Sequence, residues 1–176
     1  MRNISFRYII FTLMIFILLP CILSGCQKSV DVPLYFAKYE DNRAFLVPEI
    51  TRISISGDFY KDIITELIKG PDSAELYPTL PPDVKVLSVE LEDKTAEVDL
   101  SREVITNFTD IPHSSTTEPL AIYSIVNTLT EFEEIDSVKI TIEGRSSGEI
   151  DGLHIEDFWG HVGIEGLFYR NEDIVG

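Results

Sequence analysis

The stretch VKVLSVELEDKTAEVDLS, residues 84–101, has the pattern that decides the fold. Apolar and β-branched residues stand on both sides of a short polar segment, which is typical of two strands joined by a tight turn. We expect the turn at Glu92-Asp93-Lys94, and the apolar side chains that would face a core are Val86, Leu91, Val98 and Leu100. The stretch therefore predicts a β-hairpin, and the other elements are placed outward from it.

Upstream of this hairpin, the sequence GDFYKDIITELIKGP predicts an amphipathic helix. Asp58 suits the N-cap and Gly70 suits the left-handed residue that ends a helix. Two strands are predicted before the helix, at Val32–Tyr39 and at Ala44–Ser56. The apolar residues of the helix recur at steps of three and four and form one face: Phe59, Tyr60, Ile63, Ile64, Leu67 and Ile68.

Downstream, the sequence TTEPLAIYSIVNTLTEFEEI, residues 116–135, predicts a second helix that is apolar over most of its circumference. Such a helix takes a central position in a domain. A last strand is predicted at Ser137–Gly144, so the order is β-β-α-β-β-α-β. This order predicts an α+β fold in which two helices pack on a mixed or antiparallel sheet. The glycine-rich remainder has many apolar residues, and we expect an irregular C-terminal wrap onto the core.

The first 25 residues have the features of a signal peptide. Arg2 and Arg7 precede an apolar run of 16 residues, below the roughly 17 that a spanning helix needs. The sequence Leu23-Ser24-Gly25-Cys26 then resembles the bacterial lipobox. This resemblance implies cleavage before Cys26 and a diacylglycerol group on its thiol. We expect a short linker at residues 26–31 and one domain at 32–176. An uncleaved N-terminal anchor and full secretion are the alternatives.

Composition limits the functions that this domain can have. The formal net charge is −16, which argues against nucleic acid as a partner, because nucleic-acid binding needs a positive surface. It also argues against a domain that lies flat on an anionic membrane. The two cysteines are Cys21, inside the apolar run, and Cys26, so no disulfide is expected in the domain.

Catalytic and metal-binding patterns are weak in this sequence. The residues Gly144-Arg145-Ser146-Ser147-Gly148 match the G-x-S-x-G pattern of hydrolases, and a small serine hydrolase that uses Ser146 is therefore an alternative. The pattern requires a following helix, and the sequence there does not favour one. His154 and His161 lie seven residues apart, a spacing that does not suit a zinc site on a helix. We expect no metal and no other cofactor.

Asn127 and Thr128 are polar residues inside the predicted central helix, where apolar residues would be more stabilising. Asn127 either forms hydrogen bonds to a neighbouring loop, or both residues belong to a packing or partner-contact point. Phe158 and Trp159 are likewise either core residues or part of an exposed contact patch.

Several stretches together resemble the GerMN domain, a family named for a sporulation and germination lipoprotein. The resemblance covers about residues 32–175 and rests on order and spacing more than on a single motif. The stretches that carry it are LIKGP at 67–71, LPPDVKVLSVELEDKTAEVDLSRE at 80–103, AIYSIVNTLTEF at 121–132, VKITIEG at 138–144 and GHVGIEGLFYRNEDIV at 160–175.

This resemblance implies a non-enzymatic protein at the outer face of the cell membrane of a Gram-positive type of bacterium. Such a protein would be held by acyl groups of the palmitate type on Cys26 and would bind protein partners of the envelope in sporulation or spore germination. Self-association is also implied, because related modules build rings. A general envelope lipoprotein with no part in sporulation is the alternative.

Overall fold

The computed structural model describes residues 28–107, 109–158, 162 and 166–176. Strands β1 (Ser29–Glu40) and β2 (Arg43–Ser54) form a long antiparallel hairpin. The residues of its turn, Asp41 and Asn42, have φ of 49° and 60°, as a type I′ turn requires. The first predicted pair of strands is thereby confirmed, with β1 longer than its predicted range.

The middle of this hairpin is buried on both faces. Leu34 and Phe36 on one face are 0% exposed and join the main core. On the other face, Tyr35 and Ala37 pack with Leu46 in a second, smaller cluster. Alternate side chains of a strand point to opposite faces, so β1 separates the two clusters.

Helix α1 (Phe59–Lys69) follows, with the predicted caps at both ends. The carboxylate of Asp58 accepts a hydrogen bond from the backbone N–H of Lys61, and Gly70 ends the helix at φ 91°. Glycine reaches this φ without the clash that a Cβ would cause. The predicted apolar face of α1 is buried at Ile63, Ile64, Leu67 and Ile68.

Strands β3 (Val86–Glu92), β4 (Thr95–Leu100) and β5 (Ser137–Ile142) form a three-stranded sheet in the order β3-β4-β5. The predicted hairpin is confirmed, but Leu91 is wrong as a core residue, because it lies near the tip of the hairpin and is 42% exposed. A register shift between Val86 and Ser88 places Val86 and Val89 on the same buried face, and Leu91, opposite Ala96, shares this face but is exposed near the tip. Strand β5 pairs with β4 in parallel.

The second helix, α3 (Thr117–Leu129), is central as predicted, with ten of its 13 residues buried. It ends six residues before the predicted boundary. The four-residue helix α2 (Glu103–Thr106) precedes it. Strands β6 (Glu149–Ile150) and β7 (Leu153–His154) and helix α4 (Ile155–Phe158) follow β5.

The α+β class and the order of the main elements are confirmed. The seven strands of the described chain lie in three separate sheets rather than in one. The C-terminal residues do pack back onto the domain, because Phe168 bridges Val138 of β5 and Val175 bridges Leu46 of β2. Among the described helices, none combines the length and the apolar character that crossing a membrane demands.

Candidate functional site

A dense polar network lies where β1, the last turn of α3 and residues 170–173 meet. The side chain of Asn127 is 0% exposed. Its Nδ2 donates to the carbonyl oxygen of Asn171 at 2.9 Å, and its Oδ1 accepts from the N–H of Asn171 at 3.0 Å. One amide side chain thus substitutes for a strand partner, and it fixes the C-terminal segment against α3.

Thr128 is also 0% exposed, and it connects α3 to β1. Its Oγ1 accepts a hydrogen bond from the backbone N–H of Tyr35 at 3.2 Å. This N–H lies on the edge of β1 that faces away from β2, where no neighbouring strand accepts it. A buried backbone donor without an acceptor would be costly, so the hydroxyl satisfies the strand edge.

The phenol of Tyr35 and the guanidinium of Arg170 close this network. Nη2 of Arg170 donates to the Tyr35 hydroxyl at 2.6 Å, and this hydroxyl donates to Oε1 of Glu131 at 2.7 Å. Nη1 of Arg170 lies 2.8 Å from the same carboxylate and donates to the carbonyl oxygen of Asn127 at 3.1 Å. The guanidinium stands 5.4 Å from the centre of the Tyr35 ring and also pairs with Glu172.

Neither the Tyr35 hydroxyl nor the Arg170 guanidinium is arranged to exchange a proton near neutral pH. Burial raises the pKa of the Tyr35 hydroxyl, and its hydrogen bond to Glu131 raises it further. Burial lowers the pKa of Arg170, but the hydrogen bonds to Glu172 and Tyr35 outweigh this effect and leave the pKa raised. The tyrosine therefore stays neutral and the arginine stays charged, and the network holds three segments together.

Asn127 and Thr128 are brought together by the structure, but in the interior, with their polar atoms bonded within the chain. Phe158 is the last residue of α4, and its side chain is outside the described part. Trp159 and Cys26 also lie outside the described residues.

Tyr35, Glu131 and Arg170 were missed by the sequence analysis, because charge and aromaticity alone do not distinguish them from surface residues. The one indication in the sequence was the stretch NEDIV, which directly follows Arg170 and belongs to the last stretch that carries the GerMN resemblance.

The residues around Ser146 do not have the geometry of a hydrolase site. Ser146 lies in a bend that leads into β6, where a nucleophile elbow would lead into a helix. His154 is exposed on β7, and Asp151 pairs with Arg102 at 3.0 Å. His161 is outside the described residues. Within the described ranges, no three His, Cys, Asp or Glu side chains are grouped as metal ligands.

Comparison with sequence families decides the assignment. The family described as "Germane: Sporulation and spore germination" matches residues 33–148. The chain belongs to this family. The predicted resemblance to the GerMN domain is therefore confirmed, and the match spans the elements from β1 to β5. No curated protein matches this member of the Germane family.

Solved structures similar to this Germane-family chain include the tandem GerMN domains of the sporulation protein GerM from Bacillus subtilis, at TM-score 0.61 and 23% identity. That match covers 86% of this chain and 49% of the other, so the chain spans about half of the tandem structure. The first GerMN domain of GerM matches at TM-score 0.54 and 24% identity, over 66% of this chain and 84% of that one.

A third similar structure is described as a "putative lipoprotein" from Clostridium perfringens. It has 28% identity and a TM-score of 0.51, and the match covers 82% of the Germane-family chain and 89% of that protein. The match extends over nearly the full length of both chains, in contrast to the match to the tandem structure.

The Germane-family domain also has a charge cluster at its surface, centred on Arg102. Its Nε and Nη2 donate to the two oxygens of Glu143 at 2.7 and 2.9 Å, and its Nη1 donates to Asp151 at 3.0 Å. The Arg102 side chain is 42% exposed. The cluster joins the segment after β4 to the turn after β5.

Exposed aromatic residues are found at the turn end of the β1–β2 hairpin. Tyr39 and Tyr77 are 49% and 51% exposed, and their rings meet edge to face with centroids 5.3 Å apart. Next to Tyr39, the turn residues and Thr116 line an open groove. Interfaces are enriched in aromatic residues, so this end offers a surface for contact.

Proposed function

We propose that this chain is a lipid-anchored extracytoplasmic protein that binds envelope partners in sporulation or spore germination and has no enzymatic activity. The observation that carries the proposal is the sequence Leu23-Ser24-Gly25-Cys26 directly before a Germane domain. Acylation of Cys26 would hold the domain at the outer face of the membrane.

Two comparisons support the anchored location. The description of the family names sporulation and spore germination. The similar protein from Clostridium perfringens is described as a "putative lipoprotein". Its 28% identity extends over 82% of this chain. The 16-residue apolar run that ends at Leu23 is short for a span, which favours cleavage over a transmembrane anchor.

The polar groups of the domain favour binding over catalysis. Asn127, Thr128, Tyr35 and Arg170 direct their hydrogen-bonding atoms to other parts of the chain. The exposed tyrosines at positions 39 and 77 stand beside an open groove. Such a surface can bury area against a protein partner, whereas a catalytic site needs titratable groups that face a substrate.

The anchor acts in this proposal by confinement. A protein that is held in a thin layer at the membrane meets partners in the same layer at a raised effective concentration, without any improved contact. Two acyl chains suffice for stable attachment, because each buried methylene contributes about 0.8 kcal/mol.

Mass spectrometry of the mature protein from cells tests the anchor. We expect residues 1–25 to be absent and Cys26 to bear diacylglycerol. A mature chain that begins at Met1, or that has an unmodified thiol at position 26, would contradict the proposal.

Sporulating cells test the role. We expect a deletion strain to lose spore yield or germination rate, and the wild-type gene to restore it. A Cys26→Ala variant that is secreted without lipid should restore it only in part.

Constitutive expression, with normal sporulation and germination after deletion, would favour a general envelope lipoprotein. Labelling of the wild type by a fluorophosphonate, abolished in Ser146→Ala, would favour a hydrolase.

A further inference from the structure

We infer that one end of the β1–β2 hairpin rests on the lipid headgroups and that the hairpin stands along the membrane normal. The end in question, here called the proximal end, consists of Lys28, Ser29 and residues 54–56. The Asp41–Asn42 turn and the tyrosine pair form the distal end. This inference rests on the proposed anchor at Cys26 and adds the surface by which the domain meets the bilayer.

The tether between the anchor and the folded domain is very short. The carbonyl oxygen of Lys28 accepts a hydrogen bond from the N–H of Ile55 at 2.8 Å, so Lys28 is already part of the folded domain. Only Gln27 separates it from Cys26. Two peptide units span at most about 7 Å, so Lys28 cannot be further than this from the Cα of an acylated Cys26.

The hairpin leads directly away from this point. Strand β1 has 12 residues, and at about 3.3 Å per residue it places Glu40 roughly 36 Å from Ser29. Helix α3 lies alongside it, because Thr128 bonds to Tyr35 while Thr116 lines the groove beside Tyr39. The two ends of the hairpin are therefore far apart, and α3 runs beside β1 between them.

Charge decides between a domain that stands and one that lies on its side. The net charge is −16, so contact of a long acidic flank with an anionic leaflet is repulsive. Near the proximal end, the exposed cations Lys28 and Arg52 are accompanied by carboxylates. Arg52 lies 3.9 Å from Asp31, and Asp62 accepts hydrogen bonds from the N–H and the hydroxyl of Ser56 at 2.6 and 2.8 Å. This end is therefore small and of mixed charge, and the upright position moves most of the other carboxylates of the domain away from the headgroups.

The upright position has a consequence for partners. Tyr39 and Tyr77, at the distal end, would lie roughly one hairpin length above the membrane surface. A partner that uses them must reach this height, which suits an extracytoplasmic domain better than a membrane-embedded segment.

Energy transfer from the protein to labelled lipids tests the orientation. The chain has two cysteines, Cys21 and Cys26, and the lipidated protein would retain neither as a free thiol. A Ser54→Cys or Glu40→Cys substitution therefore adds a single site for a donor dye at the proximal or the distal end. The labelled lipoproteins are reconstituted in phosphatidylglycerol-containing vesicles with an acceptor on the headgroups, after the urea midpoint has confirmed an intact fold.

We expect several-fold more rapid transfer from position 54 than from position 40, and we expect 0.5 M NaCl to reduce the difference because salt screens the repulsion. Equal transfer from both positions at low salt, or more rapid transfer from position 40, would overturn the orientation and leave the anchor intact. A lipoprotein preparation that does not float with the vesicles would overturn both the anchor and the orientation.

Discussion

Two arginines tie distant segments of this domain together, and they do so in different surroundings. Arg170 is 30% exposed and is bonded to the fully buried Asn127 and to the nearly buried Tyr35. Arg102 is 42% exposed, and its carboxylate partners reach the surface to nearly the same extent as those of Arg170. Both arginines pair with two carboxylates, so the number of ion pairs does not distinguish them.

The difference lies in what remains if a partner is removed. Around Arg170, a lost side chain leaves partly buried backbone groups without a hydrogen-bond partner within the chain, which costs about 1–3 kcal/mol for each group that water does not reach. Around Arg102, water replaces a lost partner, and exposed ion pairs contribute little to stability. Stability should therefore depend on the network around Arg170 far more than on the charge cluster around Arg102.

Asn127→Ala is expected to have the largest effect. It removes two hydrogen bonds and leaves the N–H and C=O of Asn171 unpaired, so the free energy of unfolding should fall by about 2–3 kcal/mol. Urea denaturation measures the change. Thr116→Ala at the exposed start of α3, where the side chain forms no cap hydrogen bond, is the control and should change stability by less than about 0.5 kcal/mol. Equal effects of the two variants would refute the comparison.

Tyr35→Phe should have an intermediate effect, because it removes one hydroxyl and keeps the ring. Arg170 and Glu131 still contact each other directly at 2.8 Å, so we expect a loss of about 1 kcal/mol. The control is Tyr39→Phe, at a residue that is 49% exposed. A loss of stability in Tyr39→Phe as large as in Tyr35→Phe would show that burial does not govern these hydroxyls.

Arg102→Gln should have a smaller effect, and one that depends on salt. The urea midpoint of the wild type and of the variant should differ slightly at low ionic strength and converge in 0.5 M NaCl, because salt screens exposed pairs. A difference that persists in high salt, or one as large as that of Asn127→Ala, would place the Arg102 cluster in the same class as the Arg170 network.

The smallest expected effect is a pH dependence of stability that comes from His113 and not from Tyr35 or the two arginines. Hydrogen bonds to carboxylates keep both arginines charged, and Tyr35 has a raised pKa, so none of these three side chains titrates between pH 8 and about 5. Burial lowers the pKa of His113 from its ordinary 6.5, against an opposing effect of Glu118. The unfolded chain therefore binds the proton more readily, and stability should decline as the pH falls below 6.5.

His113→Gln tests this assignment. The urea midpoint of the wild type should fall from pH 7.5 to pH 5.5, and the variant should show a shallower slope, whatever its stability at pH 7.5. An unchanged slope would exclude His113 as the source. A further decline below pH 4 is expected in both proteins, because hydrogen bonds lower the pKa of Asp62 and Glu103 in the folded state.

The sequence predicted the elements of this fold better than their pairing. Local periodicity and caps identified α1, α3 and both long hairpins, because these signals lie within one element. The division of the strands into separate sheets, and the parallel pairing of β4 with β5, depend on contacts between residues far apart in the chain. Leu91 illustrates the limit within a hairpin, since it lies opposite the buried Ala96 but is 42% exposed, and how far the core extends toward the tip depends on elements distant in the sequence.

The candidate site was predictable only in part. Asn127 and Thr128 stood out because polar residues are unusual inside an apolar helix. Their partners could not be identified, because Tyr35 and Arg170 are separated from them by 93 and 43 residues, respectively. A tyrosine in a strand and an arginine in a glycine-rich tail have no local feature that indicates burial.

The long hairpin also determines how the domain would bear a mechanical load. A lipid anchor would pull at residue 28, along the axis of β1, while a bound partner held the rest of the molecule. The hydrogen bonds between β1 and β2 run perpendicular to the strands, so this pull would shear the ladder along all 12 residue pairs at once. The attachment would therefore resist tension without the strands unzipping one pair at a time.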